Sequence, residues 1–313
     1  KMYDADKDLV YSVVISFLLI IYLGIIALLA KLLFRIDSVQ RGQNAKYVVL
    51  NVQEQNIEKV TALLPGMKSP SVLPLATKGW FSLHSVIEEN DFFEFYWVPH
   101  TKWALTKANN VSADAIDSPG RFATWYNKMF LENYAFGMLC RIGRLFPRLI
   151  PKLATIIPSS GRVEYVNVSH RIFSSKRLVK FYEMEYSIAL DSLVPALQEV
   201  MQMVEDRGFT ISFPVEVRCT GSDDIPLSTS TGRRSAYIAV HMFKGCEYGE
   251  YFSAVEMILR KYEGRPHWGK IHNLNANDIS SLYPEYQRFI EVRNQLDPEG
   301  VFTNDYLRRV LGR

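Results

Sequence analysis

Hydrophobic and polar positions divide this chain into two parts with different patterns. Residues 9–30 read LVYSVVISFLLIIYLGIIALLA and contain no charged side chain, whereas the sequence after residue 40 mixes apolar and polar positions throughout. In the second part, apolar residues alternate or cluster in short runs that predict strands. These runs are AKYVVLNV (45–52), FFEFYWVPH (92–100), FYEMEYSIAL (181–190), the stretch that begins at residue 209 and contains PVEVR, and SAYIAVHMF (235–243).

Helical spacing of apolar residues separates these strands. It predicts a short helix that breaks at Pro65-Gly66, an amphipathic region over residues 121–157, and helices over 193–208 and 251–264. The region 121–157 carries basic residues on its later turns and is interpreted either as a cover for the core or as a helix on a membrane surface. Because strands and helices do not follow regular βαβ spacing, we expect an α+β fold with a large antiparallel sheet flanked by helices.

The apolar run of residues 9–30 is long enough to cross a bilayer. As a helix its 22 residues would span roughly 33 Å. Acidic residues precede the run and basic residues follow it, which favours a cytoplasmic location for the large C-terminal part. The alternative is a strand-turn-strand piece buried in a soluble protein. The sequence therefore predicts either a membrane-associated protein or, if the run is buried, a soluble one.

Composition narrows the classes of function. Hydrophobic residues make up 48% of the 313 positions, which is enough for a sizeable core. The net charge of +3 is mild and the basic residues form no stripe, so nucleic-acid binding is not expected. Cys140, Cys219 and Cys246 lie far apart and have neither metal-site nor disulfide spacing, so they are predicted to be reduced and structural, and no metal site is predicted. No glycine-rich dinucleotide fingerprint or phosphate loop is found in the sequence.

Two predicted strands place polar groups on a sheet face. In PVEVR, Glu216 and Arg218 are two positions apart and point to one face, either as a plain salt bridge or as a pair that grips a polar ligand. In YIAVHMF, His241 shares a face with Ala239 and Tyr237, and is either structural or part of a site.

The stretch RPHWGKIHNL (265–274) concentrates the remaining candidates. Its histidines, tryptophan, arginine and lysine are typical of neither a solvated loop nor an apolar core. Lys270 follows His267 by three positions and Trp268 by two. A lysine among apolar neighbours suits proton transfer or the stabilisation of negative charge, but the stretch alone does not distinguish a catalytic loop from a packed corner.

Taken together, these segments resemble the C-terminal part of one family. FFEFYWVPH, PVEVRCTGSDDIPLS, RRSAYIAVHMF, GRPHWGKIHNL and YPEYQRFIEVRNQLDPEGVFTNDYLRRVLG occur in the order found in the sugar-1,4-lactone oxidases. That family includes the arabinono-lactone and gulonolactone oxidases, of the vanillyl-alcohol-oxidase type. The resemblance covers residues 85–313.

The resemblance implies an FAD-dependent oxidation of the C2 hydroxyl of a sugar-1,4-lactone, with electrons passing to O2 or another acceptor. It implies that Glu216 and Arg218 line the substrate pocket, and that Lys270 lies beside the flavin and the reacting hydroxyl. His241 is a further candidate for substrate binding, and Trp268 and Asn273 are candidates for contact with the cofactor. Lys270, Glu216 and His267 remain alternatives for the proton acceptor.

The family also implies a domain organisation. An FAD-binding domain would precede the substrate domain, so residues 1–40 are interpreted as a membrane anchor or as the end of a mostly missing FAD-binding domain. Residues 41–313 are assigned to a substrate, or cap, domain like that of the lactone oxidases. An alternative function is that of a membrane-tethered substrate-binding module, non-catalytic or dependent on a separate flavin-binding partner.

Overall fold

A six-stranded sheet organises the described part of the protein. The computed structural model describes residue 83 and residues 86–102, 104–155 and 164–312. The strands are β1 (Phe92–Trp97), β2 (Ala104–Asn109), β3 (Phe181–Ala189), β4 (Val215–Thr220), β5 (Ser235–Phe243) and β6 (Arg265–Pro266). Their order across the sheet is β2-β1-β4-β5-β3-β6, and every neighbouring pair is antiparallel. The predicted α+β class with a large antiparallel sheet is confirmed.

The two faces of the sheet differ in chemistry because side chains alternate along each strand. One face carries the apolar residues of the main core, including Phe95, Val217, Ile238 and Tyr186, all fully buried. The opposite face carries the polar residues of β1, β3, β4 and β5. We call it the polar face, and it is defined by Glu94, Tyr96, Glu183, Glu185, Glu216, Arg218, Tyr237 and His241.

Helices connect the strands, and those between residues 193 and 311 cover the apolar face. They are α1 (Arg121–Trp125), α2 (Phe136–Leu145), α3 (Ile150–Ala154), α4 (Ser169–Phe173), α5 (Leu193–Asp206), α6 (Gly249–Lys261), α7 (Ala276–Leu282), α8 (Tyr286–Leu296) and α9 (Asp305–Leu311). Helix α5 has Pro195 in its first turn and Gly208, at φ +63°, just beyond its end, as predicted. Its buried residues recur every three or four positions, which is why this helix packs on the sheet.

The predicted helical region 121–157 is interrupted. A π-helical segment (Tyr126–Ala135) joins α1 to α2, and its rings stack with wide spacing, as between Trp125 and Phe130 at 6.3 Å. The helix then ends at Phe146, where φ is −130°, because Pro147 disfavours the helical conformation of the residue before it. A 3₁₀ turn (Pro147–Leu149) and α3 follow.

Two other boundaries differ from the sequence prediction. Strand β4 begins at Val215 rather than near residue 209, directly after Pro214, which has no N–H to donate to a ladder. Helix α6 ends at Lys261, before Gly264. A Cβ on Gly264 would lie 2.7 Å from the Leu259 carbonyl oxygen and 3.0 Å from Cδ1 of Tyr186, so this glycine allows the turn into β6 to pack against the core.

Several predictions fall on residues that are not described. The apolar run 9–30, the predicted strand 45–52 and the predicted helix that breaks at Pro65-Gly66 lie outside the described residues. Within the described part of the chain, no helix combines the length and apolar composition that crossing a bilayer would require.

Candidate active site

Register brings the polar residues of three strands into line. Glu216 of β4 pairs with Ala239 of β5, and Ala239 pairs with Glu185 of β3, so two carboxylates flank one small residue. Neighbouring strands are about 4.8 Å apart, so these two acidic positions are separated by roughly 10 Å. The small side chain of Ala239 leaves the space above it to a larger group from a neighbouring position.

Arg218 occupies that space. Its Nη2 donates to Oε1 of Glu185 at 3.0 Å, and its Nε lies 3.3 Å from Oε1 of Glu216. Tyr96 adds a hydrogen bond to the same Glu216 oxygen at 3.4 Å. Burial by itself lowers the pKa of Arg218, but Glu216 and Glu185 outweigh burial and raise the pKa above its usual value. The guanidinium is therefore a fixed cation, and 43% of the side chain remains exposed at the polar face.

Lys270 reaches the polar face from the edge of the sheet. Its N–H donates to the His267 carbonyl at 3.0 Å, which closes a turn after β6. The turn is attached to β3 on both sides, because His267 N–H donates to the Glu185 carbonyl at 2.9 Å and Ile271 N–H to the Glu183 carbonyl at 3.0 Å. The Lys270 ammonium group forms an ion pair with Oε2 of Glu183.

Glu183 also contacts His241, which lies directly across the β3–β5 ladder. Its Oε1 is 3.3 Å from Nε2 of His241, and the other ring nitrogen, Nδ1, is 3.1 Å from the Pro214 carbonyl. Burial raises the pKa of Glu183, but hydrogen bonds and positive charge from His241 and Lys270 outweigh it and lower the pKa to about 2. The carboxylate is thus ionised at neutral pH.

The other candidates from RPHWGKIHNL make contacts away from these ion pairs. Nδ1 of His267 accepts from Gly269 N–H at 3.0 Å, and Nε1 of Trp268 donates to the Leu227 carbonyl at 2.9 Å. Asn273 donates through its side chain and its backbone to Glu256, each at 2.8 Å, on the helix-covered side of the sheet. The structure therefore brings Glu216, Arg218, Lys270 and His241 together on one face. The roles of all the predicted site residues, including His267, Trp268 and Asn273, stay predictions.

Glu183 and Glu185 are the site residues that sequence reasoning missed. In FYEMEYSIAL they occupy the polar positions of an alternating strand, which is the ordinary pattern for carboxylates that face water. The signal in the sequence was that Glu183 and Glu185 lie two positions apart, like Glu216 and Arg218, and so point to the same face of a strand. Charges on the same face of neighbouring strands pair when the register brings them together.

The arrangement presents fixed donors and acceptors to a polar ligand. Two cations, Arg218 and Lys270, are each held by a carboxylate of β3, and Glu216 supplies an acceptor beside Arg218. Hydroxyl groups both donate and accept hydrogen bonds, so such a surface suits a neutral polyhydroxylated molecule. Cations held in place also stabilise negative charge that develops in a reaction without the cost of reorienting.

Comparison with known proteins agrees with this chemistry. The sequence model of D-arabinono-1,4-lactone oxidase matches residues 80–310, which include the whole sheet and every residue of the polar face. The chain belongs to the D-arabinono-1,4-lactone oxidase family. The family predicted from the sequence motifs is confirmed.

Two curated relatives support the family assignment. The L-gulono-1,4-lactone dehydrogenase of Mycobacterium tuberculosis is 41% identical over 236 residues, which cover 74% of this chain and 54% of that protein. The L-gulonolactone oxidase of Bos taurus is 32% identical over 243 residues, covering 73% and 53%. The chain therefore spans about half the length of the curated relatives that it matches.

A solved cholesterol oxidase from B. sterolicum shares the fold, with a TM-score of 0.53 and 17% identity over 87% of this chain and 61% of the other. A second family model, the C-terminal domain of HisG, matches residues 42–96 and so overlaps the first over residues 80–96. Most of this match lies outside the described residues. The overlap includes most of β1, which pairs with β2 and β4, and Phe93 and Phe95 are buried in the main core, so β1 is an integral strand of the sheet.

Proposed function

We propose that this chain supplies the substrate side of a flavin-dependent oxidation of a sugar-1,4-lactone at its C2 hydroxyl. The observation that carries the proposal is the Arg218 guanidinium, held over Ala239 by carboxylates of two different strands and still half-exposed. An ordinary surface salt bridge joins one cation to one carboxylate, whereas Arg218 contacts two. The names of the two relatives add the substrate class, since both act on gulonolactone.

Arg218 and Glu216 form the gripping pair of the proposed site. The planar guanidinium can donate two parallel hydrogen bonds to the ring and carbonyl oxygens of a lactone. The Glu216 carboxylate accepts from sugar hydroxyls, and its contact with Tyr96 keeps it in place. Binding by a fixed pair costs little side-chain entropy, which favours affinity and orientation together.

FAD fits the donor set of this face. When bound, FAD would accept the hydride from the lactone C2 carbon, and its reduced form is favoured by positive charge near the pyrimidine end of the ring. Lys270 supplies such a charge from the turn after β6, and the ion pair with Glu183 keeps the ammonium group on the polar face. We therefore propose that Lys270 would lie beside the redox end of FAD if the cofactor binds here.

The proton of the C2 hydroxyl needs an acceptor on this chain, and we assign it to Glu216. His267 is less suited, because its Nδ1 lone pair already accepts from Gly269 N–H and the neutral ring then carries its proton on Nε2. Nζ of Lys270 already donates to Oε2 of Glu183. Glu216 places a carboxylate on the polar face, 3.3 Å from Arg218 and so beside any ligand that Arg218 binds.

The test uses the purified full chain. We expect calorimetric binding of L-gulono-1,4-lactone and D-arabinono-1,4-lactone, and bleaching of the flavin absorbance by either lactone under anaerobic conditions. Arg218→Ala abolishes lactone binding in this scheme. Protein that binds neither lactone, whether or not flavin is supplied, contradicts the proposal.

A second candidate is a substrate-binding module that works with a separate flavin-binding partner. It uses the same contacts of Arg218 with Glu216 and Glu185 to bind the lactone, and these contacts do not require bound flavin. Colourless protein that still binds lactone, and that becomes active when a flavin-binding partner is added, would select this candidate. In either case we propose that O2 or another acceptor takes the electrons. We also propose residues 9–30 as a membrane anchor, on the strength of their uncharged sequence.

A further inference from the structure

We infer that Glu183 is a positioning residue, which holds the charged Lys270 side chain on the polar face and uses His241 as its second anchor. The inference rests on the proposed function, because it concerns how Lys270 is presented to lactone and cofactor. It adds to the expected pair of Glu216 and Arg218 a carboxylate on another strand that the motifs did not indicate.

The two oxygens of Glu183 have different partners. Oε2 pairs with the Lys270 ammonium group, and Oε1 lies 3.3 Å from Nε2 of His241. A carboxylate bound on both oxygens cannot rotate without losing one contact. The direction of the Lys270 side chain is therefore set from two sides.

His241 is itself fixed. A carbonyl oxygen can only accept, so the contact of Nδ1 with Pro214 at 3.1 Å places a proton on Nδ1. Its Nε2 lies 3.3 Å from Oε1 of Glu183, so both ring nitrogens have a partner. The ring also packs edge-on against Phe181 at 5.1 Å and in a tilted arrangement against Phe213 at 5.9 Å, so the anchor has little freedom.

The backbone of Glu183 also helps to position Lys270. Its carbonyl accepts from Ile271 N–H at 3.0 Å, so one residue fixes both the chain next to Lys270 and the Lys270 side chain. The long lysine stem has many rotamers, and 25% of this side chain is exposed. Without the Glu183 carboxylate, the ammonium group has a path to solvent.

The neighbouring carboxylate cannot replace Glu183. Oε1 of Glu185 already accepts from Nη2 of Arg218, and the Arg218 guanidinium also contacts Glu216. Strand β3 thus assigns one carboxylate to each cation. Removing the first should release Lys270 and leave Arg218 bound.

The experiment measures the reactivity of Lys270 directly in the full chain. Glu183→Gln is labelled with an amine-reactive acylating reagent at neutral pH, and mass spectrometry of the digest gives the rate at each lysine. We expect Lys270 to react at least about fivefold faster than in the parent, because the free amine reacts and a charge-assisted hydrogen bond suppresses it. His241→Asn, which leaves the carboxylate in place, should give a smaller increase.

The matched control is Glu199→Gln, which breaks the Lys261–Glu199 pair on the surface. It should leave the labelling rate of Lys270 at the parent value. If the enzyme turns over lactone, Glu183→Gln should lower kcat by about tenfold or more while KM changes by less than about threefold, since Arg218 and Glu216 keep the substrate grip.

The two hypotheses fail in different ways. Lys270 labelling that is equal in parent, Glu183→Gln and His241→Asn overturns the positioning role even if lactone is oxidised. A parent protein that binds no lactone overturns the proposed function. Faster labelling of Lys270 in the folded variants, judged by an unchanged circular dichroism spectrum, supports the positioning role independently of activity.

Discussion

The two faces of β3 are both largely buried, but one buries apolar side chains and the other buries paired charges. On one face Met184, Tyr186 and Ile188 are buried among the helices, and the energy comes from removing apolar surface from water. On the other face Glu183 and Glu185 are largely buried too, but each is paired with a cation from another element. The same nine residues therefore contribute to both the core and the candidate active site.

The difference separates stability from chemistry. Paired buried charges add little net stability, because desolvation offsets much of their attraction, yet losing one partner is costly. Apolar contacts stabilise in proportion to the area that they bury. Substitutions on the apolar face should thus affect unfolding first, and substitutions on the polar face should affect ligand binding first.

The largest effect is expected on the apolar face. Ile238→Ala removes a fully buried side chain from the centre of β5 and should lower the free energy of unfolding by about 2–5 kcal/mol. Urea denaturation followed by circular dichroism measures this change. The lactone Kd of the remaining folded protein should stay at the parent value, and a large loss of affinity would show that the two faces are coupled.

The next largest effect is expected from the protonation of His272 at acidic pH. Burial, followed by the positive charge of Arg309, lowers the pKa of His272 to about 4, from an ordinary value of 6.5. In the folded protein this ring resists protonation, so its contribution to stability is fully present above pH 6.5 and is lost as the pH falls through 4. The loss corresponds to about 3 kcal/mol.

His272→Gln should flatten that part of the profile in urea titrations at pH 7, 5 and 4. Glu183 affects stability at lower pH than His272. Because its pKa is lowered from 4.5 to about 2, its contribution to the stability of the fold is fully present above pH 4.5 and is lost as the pH falls through about 2. An unchanged slope between pH 7 and 4 in the His272 variant would mean that the ring is solvated.

A smaller effect is expected from Arg218→Lys. The charge is kept but the rigid fork that spans Glu216 and Glu185 is lost. Lactone affinity should fall by about ten- to a hundredfold, measured by calorimetry, with a smaller loss of stability than in Ile238→Ala. Parent-like affinity would reduce the role of Arg218 to that of a point charge.

The smallest effect is expected for Glu199→Gln. Its ion pair with Lys261 is exposed and joins α5 to α6 away from the polar face. The free energy of unfolding should change by less than about 1 kcal/mol, and lactone binding should not change. A larger loss of stability would show that ion pairs outside the polar face also support this fold.

The sequence predicted the strands well where one periodicity dominates. In β1, β3 and β5 the alternation of apolar and polar residues assigns both the strand and its faces, and the register confirms them. The aromatic-rich stretch 121–145 is different. Its apolar residues predict a helix, but the sequence analysis found no pattern that marks Tyr126–Ala135 as π-helical.

The site was predictable only in part. Glu216, Arg218 and Lys270 belong to local motifs that a single sequence displays. Glu183 and Glu185 have no local signature, since their meaning comes from the ladder that pairs β3 with β5 and from the turn attached to its other edge. These contacts depend on the register between segments that are far apart in sequence. A single sequence does not specify that register.

Strand β6 has a consequence for association between copies of the chain. On its outer side Pro266 has no N–H to offer, and its carbonyl already accepts from the hydroxyl of Tyr283 at 3.3 Å. An incoming strand from another molecule would find neither donor nor acceptor there. This two-residue edge strand is thus a poor template for pairing with a strand of another copy.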